Sequence, residues 1–227
     1  MKAWELLGET HTPDGSDVRL MRQDSEYVIW VDGKTLMSSR RHGSEEEMAA
    51  LACRRLRAAD RPHVLVGGLG MGFTLRATLD VLPASAIVRV VELLPAVVDW
   101  NRGPLGSLSG YPVKDPRVRI ELGDVGRTLR VAKSSLYAAI LLDVDNGPAA
   151  FTASTNHGLY DNAGVAAAHA ALEDGGMLAV WSAWDDRKFE QRLRFHGFTV
   201  QVARVRARLK KGGSRHTIFI GVKGREG

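Results

Sequence analysis

Cysteine is nearly absent from this 227-residue sequence. Cys53 stands alone, which excludes an internal disulfide and a CxxC metal site and fits a reducing compartment. Long apolar runs are missing too. None approaches the roughly 18 residues that span a bilayer, and the opening MKAWELLGETHTPDG lacks a signal peptide's apolar core. The expectation is a cytoplasmic protein with no membrane partner. His157, His169 and His196 lack metal-ligand spacing, and Ser182 has no GxSxG setting. Neither a metal centre nor a hydrolase triad is therefore expected.

What is present is close to the globular average, with 44% apolar and 25% charged residues. The length suits one α/β core and would cramp two. A net charge of +5 is concentrated in Arg204, Arg206, Arg208, Lys210, Lys211 and Arg215. These alternate with Val202, Val205 and Leu209 and have no stacking aromatics among them, which favours a solvated hairpin over a nucleic-acid surface.

The first forty or so residues alternate in short runs: Val18 to Met21, Tyr27 to Val31 and Thr35 to Met37, with a turn at Asp32-Gly33. They predict a small antiparallel β element over residues 1–43. Ser44 ahead of Glu45, Glu46 and Glu47, then Met48, Leu51 and Leu56, predicts a helix N-capped at Ser44 and running to Arg57. From His63 the rhythm becomes strand, turn, helix. Val64 to Val66, Ile87 to Val91, Val118 to Leu122, Ala138 to Leu142 and Met177 to Trp181 predict strands buried on both faces. Phe73 to Leu82, Pro95 to Arg102, Val125 to Val131, Asn162 to Leu172 and Asp185 to His196 predict helices. Thr199 to Arg206 and His216 to Val222 close the chain as an antiparallel hairpin. The expected fold over residues 44–227 is α/β and Rossmann-like, a class I methyltransferase type with a mostly parallel seven-stranded sheet.

Gly67-Gly68-Leu69-Gly70-Met71-Gly72 follows the first buried strand and opens a helix. Glycines there let the backbone turn tightly and come close to a ligand at the helix N-terminus. Phe73 stands where a dinucleotide fingerprint needs its third glycine, so Gly68, Gly70 and Gly72 fit the GxGxG loop of methyltransferases better. No Lys-Ser or Lys-Thr follows, which disfavours a Walker loop. Glu92 ends the next strand about twenty residues on, where a carboxylate can accept ribose hydroxyls. Asp124, after Gly123, can accept an adenine amino group or serve as a helix N-cap.

The segment Leu141-Leu142-Asp143-Val144-Asp145-Asn146-Gly147-Pro148, with the glycine loop, Val91-Glu92-Leu93 and Gly123-Asp124, resembles the spermidine synthase (polyamine aminopropyltransferase) family. Val31-Asp32-Gly33-Lys34-Thr35-Leu36 through Ser44 and Met48 resembles that family's β element and following helix. The resemblance implies Asp143 as base on an attacking amine, with Glu92 on the ribose and Asp124 on the adenine. Gly68, Gly70, Gly72, Leu93 and Gly123 would line the nucleoside. It implies S-adenosylmethionine or its decarboxylated form as cofactor, methylthioadenosine as product, a small amine as acceptor, and a homodimer. A base is needed because an alkylammonium costs roughly 4 to 5 kcal/mol to deprotonate at neutral pH. Two positions depart from the family. Asn146 stands where a second, diamine-anchoring acid is expected, and Glu45 falls near a substrate-lining tyrosine. Asp145 or Asp161 would then hold the acceptor. The chain also stops soon after Val222, without the long C-terminal segments that help close a polyamine pocket.

Three functions remain open: aminopropyl transfer to an amine, methyl transfer to a small molecule or RNA, and nucleoside binding without catalysis. Cys53 lies on a predicted helix rather than at a strand end, which argues against cytosine-C5 chemistry.

Overall fold

The computed structural model describes residues 3–144, 147–148, 157–207 and 215–224. Four strands, β1 (Glu5–His11), β2 (Asp17–Gln23), β3 (Glu26–Val31) and β4 (Lys34–Ser38), form an antiparallel meander in that order. The β3–β4 link is the expected turn, with positive φ at both Asp32 (48°) and Gly33 (74°), the primed geometry that matches strand twist. Strand β1 is an addition to the sequence-based expectation. Its Leu6-Leu7-Gly8 run breaks the alternation, and the pairing with β2 shifts register between Leu6 and Gly8.

Helix α1 (Gly43–Cys53) follows, then β5 (His63–Gly67), α2 (Phe73–Val81), β6 (Ile87–Glu92), α3 (Pro95–Arg102), β7 (Val118–Leu122), α4 (Val125–Arg130) and β8 (Tyr137–Leu142). After them come α5 (His157–Tyr160), α6 (Asn162–Ala171), β9 (Leu172–Ser182), α7 (Arg187–Phe195), β10 (Phe198–Arg206) and β11 (Arg215–Lys223). The large sheet runs β10-β11-β9-β8-β5-β6-β7. Its five strands from β9 to β7 are parallel, and β10 and β11 join antiparallel. This is the Rossmann-like, mostly parallel seven-stranded arrangement anticipated from the sequence.

Two apolar layers sandwich the sheet. One joins Val64, Val66, Leu75 and Ile218 to Val18, Leu20 and Ile29, so the N-terminal meander shares a core with the Rossmann-like part. The other gathers Leu65, Ile140, Leu142, Val165 and Phe219 beneath α4, α6 and α7.

Three expectations need correction. Strand β7 is an edge strand, not one buried on both faces, and Leu122 at its end is 56% exposed. Ser44 lies inside α1 rather than capping it. The N-cap position is His42, with no side-chain cap bond, and the Ser44 hydroxyl points to other side chains. Strand β9 begins at Leu172, directly after α6, whereas Met177 was the expected start.

Candidate functional site

Chain order gives the site its place. From β5 the chain steps outward to β6 and β7, then returns to lay β8 on the other side of β5. Open α/β sheets bind ligands at such a reversal, outside the carboxyl ends of the strands. Here the reversal lies between Gly67-Gly68 after β5 and Asp143 after β8. The Asp143 N–H donates to the Gly67 carbonyl at 2.9 Å, and the Gly68 N–H donates to the Val91 carbonyl at 2.9 Å. Gly68 has φ +86°, and a Cβ there would stand 2.2 Å from the Asp143 carbonyl oxygen. Only glycine fits that crossing. Gly70 (φ +50°) and Gly72 (φ +81°) face protein as well: Met37 of β4 in one case, Asn101 and Ser109 in the other. Asn101 Nδ2 donates to the Gly70 carbonyl and Ser109 Oγ to the Met71 carbonyl, so the loop is braced from behind.

Glu92 ends β6 at 7% exposure. Its Oε2 accepts the Leu69 N–H at 2.8 Å and its Oε1 the Leu94 N–H at 2.9 Å, tying the strand end to the glycine loop. Burial pushes its pKa above the usual carboxylate range, opposed by those backbone donors. The backbone N–H groups of Leu93 and Gly70 also act on it, so the carboxylate is fixed at the strand end by the chain around it. Beside it, Leu93 is 39% exposed, and Leu122 pairs in register with Glu92 at the end of β7. A Cβ on Gly123 would meet nothing within 4 Å. The edge of β6 and β7 therefore offers apolar surface and open space. Asp124 is the N-cap of α4, its Oδ1 accepting from Gly126 N–H (2.6 Å) and Arg127 N–H (3.2 Å).

At the end of β8, Asp143 Oδ2 accepts from Thr74 Oγ1 at 2.7 Å, at the start of α2 where the helix dipole favours a carboxylate. Helix α1 packs against α2 and β8 and brings a second acid within electrostatic reach of Asp143. Glu45 of α1 is 5% exposed, and its pKa is pushed up to about 8, first by burial and second by the charge of Asp143. Its place on the helix was readable: Glu45 stands at i relative to Met48, Ala49 and Ala52, all fully buried, so it belongs to the apolar stripe.

That buried acid makes stability pH-dependent. A folded pKa of about 8 against a usual 4.5 means the native state holds a proton the unfolded chain releases. The contribution is intact below pH 4.5 and is lost as pH rises toward 8; Glu92 acts in the same direction. Glu45→Gln is expected to raise stability at pH 8 by on the order of 3 kcal/mol and at pH 4.5 by almost nothing. Urea melts at the two pH values check this; an equal change at both would refute it.

Asp145 and Asn146, both expected at the acceptor, lie outside the described residues. Asp161 is the N-cap of α6, its Oδ1 accepting from Gly164 N–H. Cys53 is buried, with its thiol pushed up to about 12 by burial, which suits packing rather than nucleophilic attack. Ser182 donates to the Trp184 carbonyl. Among the described residues no group of His, Cys, Asp and Glu could hold a metal ion. No helix of the described residues is long and apolar enough to cross a membrane. In the basic hairpin, Arg204 pairs with Asp185, which also accepts from Thr217, as a solvated face would.

No protein-family profile matches the chain. Over 117 residues, 51% of the chain, it is 32% identical to putrescine N-methyltransferase 4 of Nicotiana tabacum. The match spans 28% of that enzyme's length. Among solved structures it resembles a spermidine synthase in complex with the transition-state analogue AdoDATO, with a TM-score of 0.76 and 21% identity. That likeness covers 97% of this chain and 74% of the other. Spermidine synthase from Thermotoga maritima gives 0.73 and 19% identity, covering 97% and 73%. The chain thus shares the spermidine synthase fold, N-terminal meander included.

Proposed function

We propose that this chain is a transferase that binds S-adenosylmethionine or its decarboxylated form and moves the aminopropyl group of the latter to an amine nitrogen. The observation that carries this reading is the pairing of Asp143 with Gly68 at the strand reversal, with Glu92 at the end of the neighbouring strand on the side of β5 away from Asp143. A nucleoside laid along that edge puts its ribose over Glu92, its adenine against Leu93, Leu122 and Gly123 near Asp124, and its sulfur end toward Asp143.

The sulfonium of the bound donor supplies an electrophilic carbon whose C–S electron pair leaves with sulfur. The chain's own groups do the rest. Glu92, held at the strand end by backbone donors, accepts the ribose hydroxyls. Asp143, oriented by Thr74, takes the proton that the attacking nitrogen must lose. The loop and strand ends hold the reacting atoms at contact distance, the larger share of the acceleration.

A second reading, methyl transfer to an amine, is favoured by the 32% identity with putrescine N-methyltransferase over half the chain. Incubation with each donor and putrescine separates them by mass spectrometry. Methylthioadenosine with an aminopropylated amine supports the first, and S-adenosylhomocysteine with an N-methylated amine supports the second. Consumption of neither donor across an amine panel would overturn both. Glu92→Ala is expected to weaken methylthioadenosine binding at least about tenfold by calorimetry. An unchanged affinity would remove Glu92 from the ribose.

A further inference from the structure

Behind Asp143 and Glu45 a chain of hydrogen bonds leads out of the site. Ser44 Oγ lies 2.5 Å from Glu45 Oε2, 2.9 Å from His216 Nδ1 on β11, and 3.1 Å from Trp181 Nε1 on β9. The Trp181 ring also stands edge-on to the His216 ring at 4.6 Å. Ser44 is fully buried, whereas His216 is half-buried.

Counting protons fixes how this cluster works. An indole N–H only donates, so Ser44 accepts from Trp181. A hydroxyl has one proton and therefore donates to Glu45 or to His216, and accepts from the other. Two arrangements satisfy every group. With Glu45 ionised, Ser44 donates to it and His216 carries its proton on Nδ1. With Glu45 protonated, Glu45 donates to Ser44, Ser44 donates to His216 Nδ1, and the imidazole proton sits on Nε2. The first is reached from the second by shifting protons along these bonds toward His216 and releasing the Nε2 proton to water.

Other groups reach the path from the elements around it. Asp143 acts on Glu45 from the end of β8 and Glu46 from the same helix, while Arg41 acts on His216. Thr74 of α2 holds Asp143. Burial first, and Arg41 second, lower the pKa of His216, which keeps the imidazole neutral at neutral pH and able to accept.

We propose that Glu45 and Asp143 together receive one alkylammonium nitrogen, and that Glu45, Ser44 and His216 form the path by which a proton leaves the site. This deepens the transferase reading above and rests on it. When the ammonium enters, the Glu45 O–H bond breaks and its proton passes to Ser44. The Ser44 proton passes to His216 Nδ1, and the Nε2 proton goes to water. Asp143 of the pair then takes one N–H proton as the nitrogen attacks and the C–S pair departs with sulfur, that proton returns to Glu45 as product leaves, and His216 regains its Nε2 tautomer by exchange with water. The product nitrogen stays a cation, so one proton leaves per turnover and the account balances. Glu45 and Asp143 touch the acceptor; Ser44 and His216 act through them.

The test uses the full chain saturated with methylthioadenosine, with nitrogen-15 signals of His216 and carboxyl carbon-13 signals of Glu45 followed against pH. Glu45 is expected to titrate near pH 8, with the His216 proton switching from Nε2 to Nδ1 in the same step. Adding n-butylamine moves that step down by about one pH unit or more. Ser44→Ala abolishes the His216 switch and lowers kcat about tenfold, leaving KM for the donor unchanged. Ser44→Thr, which keeps a hydroxyl, restores the switch. A His216 tautomer indifferent to Glu45 overturns the path, and a step unmoved by n-butylamine overturns the paired acceptor. Failure to bind methylthioadenosine overturns the transferase reading and this one with it. Binding with an uncoupled His216 overturns the path alone.

Discussion

Asp143→Asn is expected to lower turnover about a thousandfold, within the range a positioned general base supplies, while methylthioadenosine affinity stays within about threefold of wild type. The asparagine is isosteric, its carbonyl can still accept from Thr74 Oγ1, and the backbone bond to Gly67 is untouched. Folding and the nucleoside crevice are preserved. What disappears is a group able to take a proton from an ammonium at neutral pH, a task worth roughly 4 to 5 kcal/mol. Steady-state rates beside calorimetric affinities separate the two effects. A variant that kept its rate would strip Asp143 of its role as base, and one that lost binding as well would make the residue a determinant of nucleoside affinity.

Gly68→Ala is expected to be the most damaging single methyl group in the protein. Its Cβ would stand 2.2 Å from the Asp143 carbonyl, in a backbone conformation at φ +86° that L residues rarely adopt. Because the obstacle is backbone rather than a flexible side chain, β5 and β8 must part at the point where the site is built. A loss on the order of 4 kcal/mol follows, or about 10 °C in Tm for a chain of this size. Gly123→Ala is the control. Nothing lies within 4 Å of its Cβ position, so stability should change by less than about 1 kcal/mol while nucleoside affinity falls as the open space fills. Thermal melts of the two variants check the contrast. Equal melting temperatures would show that the crossing at Gly68 tolerates a side chain.

The parts of the fold written in short-range pattern were legible in the sequence. The apolar runs of β5, β6 and β8 and the glycines after β5 need only local rules, and the structure places them as expected. Leu6-Leu7-Gly8 was not legible as a strand, because a bulge against β2 breaks its alternation and its fit against Trp100 is set by a residue far along the chain. Ser44 misled for a related reason. A serine before three glutamates has the form of a cap, yet its hydroxyl is bound by Glu45 and by side chains of β9 and β11, more than a hundred residues away. At the site, Glu92 and Asp143 announced themselves by sitting just after buried strands. Glu45 carried only a helical-spacing signal, its register with Met48, Ala49 and Ala52, and the run of acids around it masked that signal.

The central claim is that an adenosine thioether lies along the carboxyl ends of β5, β6 and β8. Calorimetric titration of 5′-methylthioadenosine into the intact chain tests it most directly. A saturable one-to-one isotherm with Kd on the order of 10 μM, weakened by Glu92→Ala, is the predicted result. No binding heat up to about 1 mM ligand, or an affinity indifferent to Glu92→Ala, would contradict it.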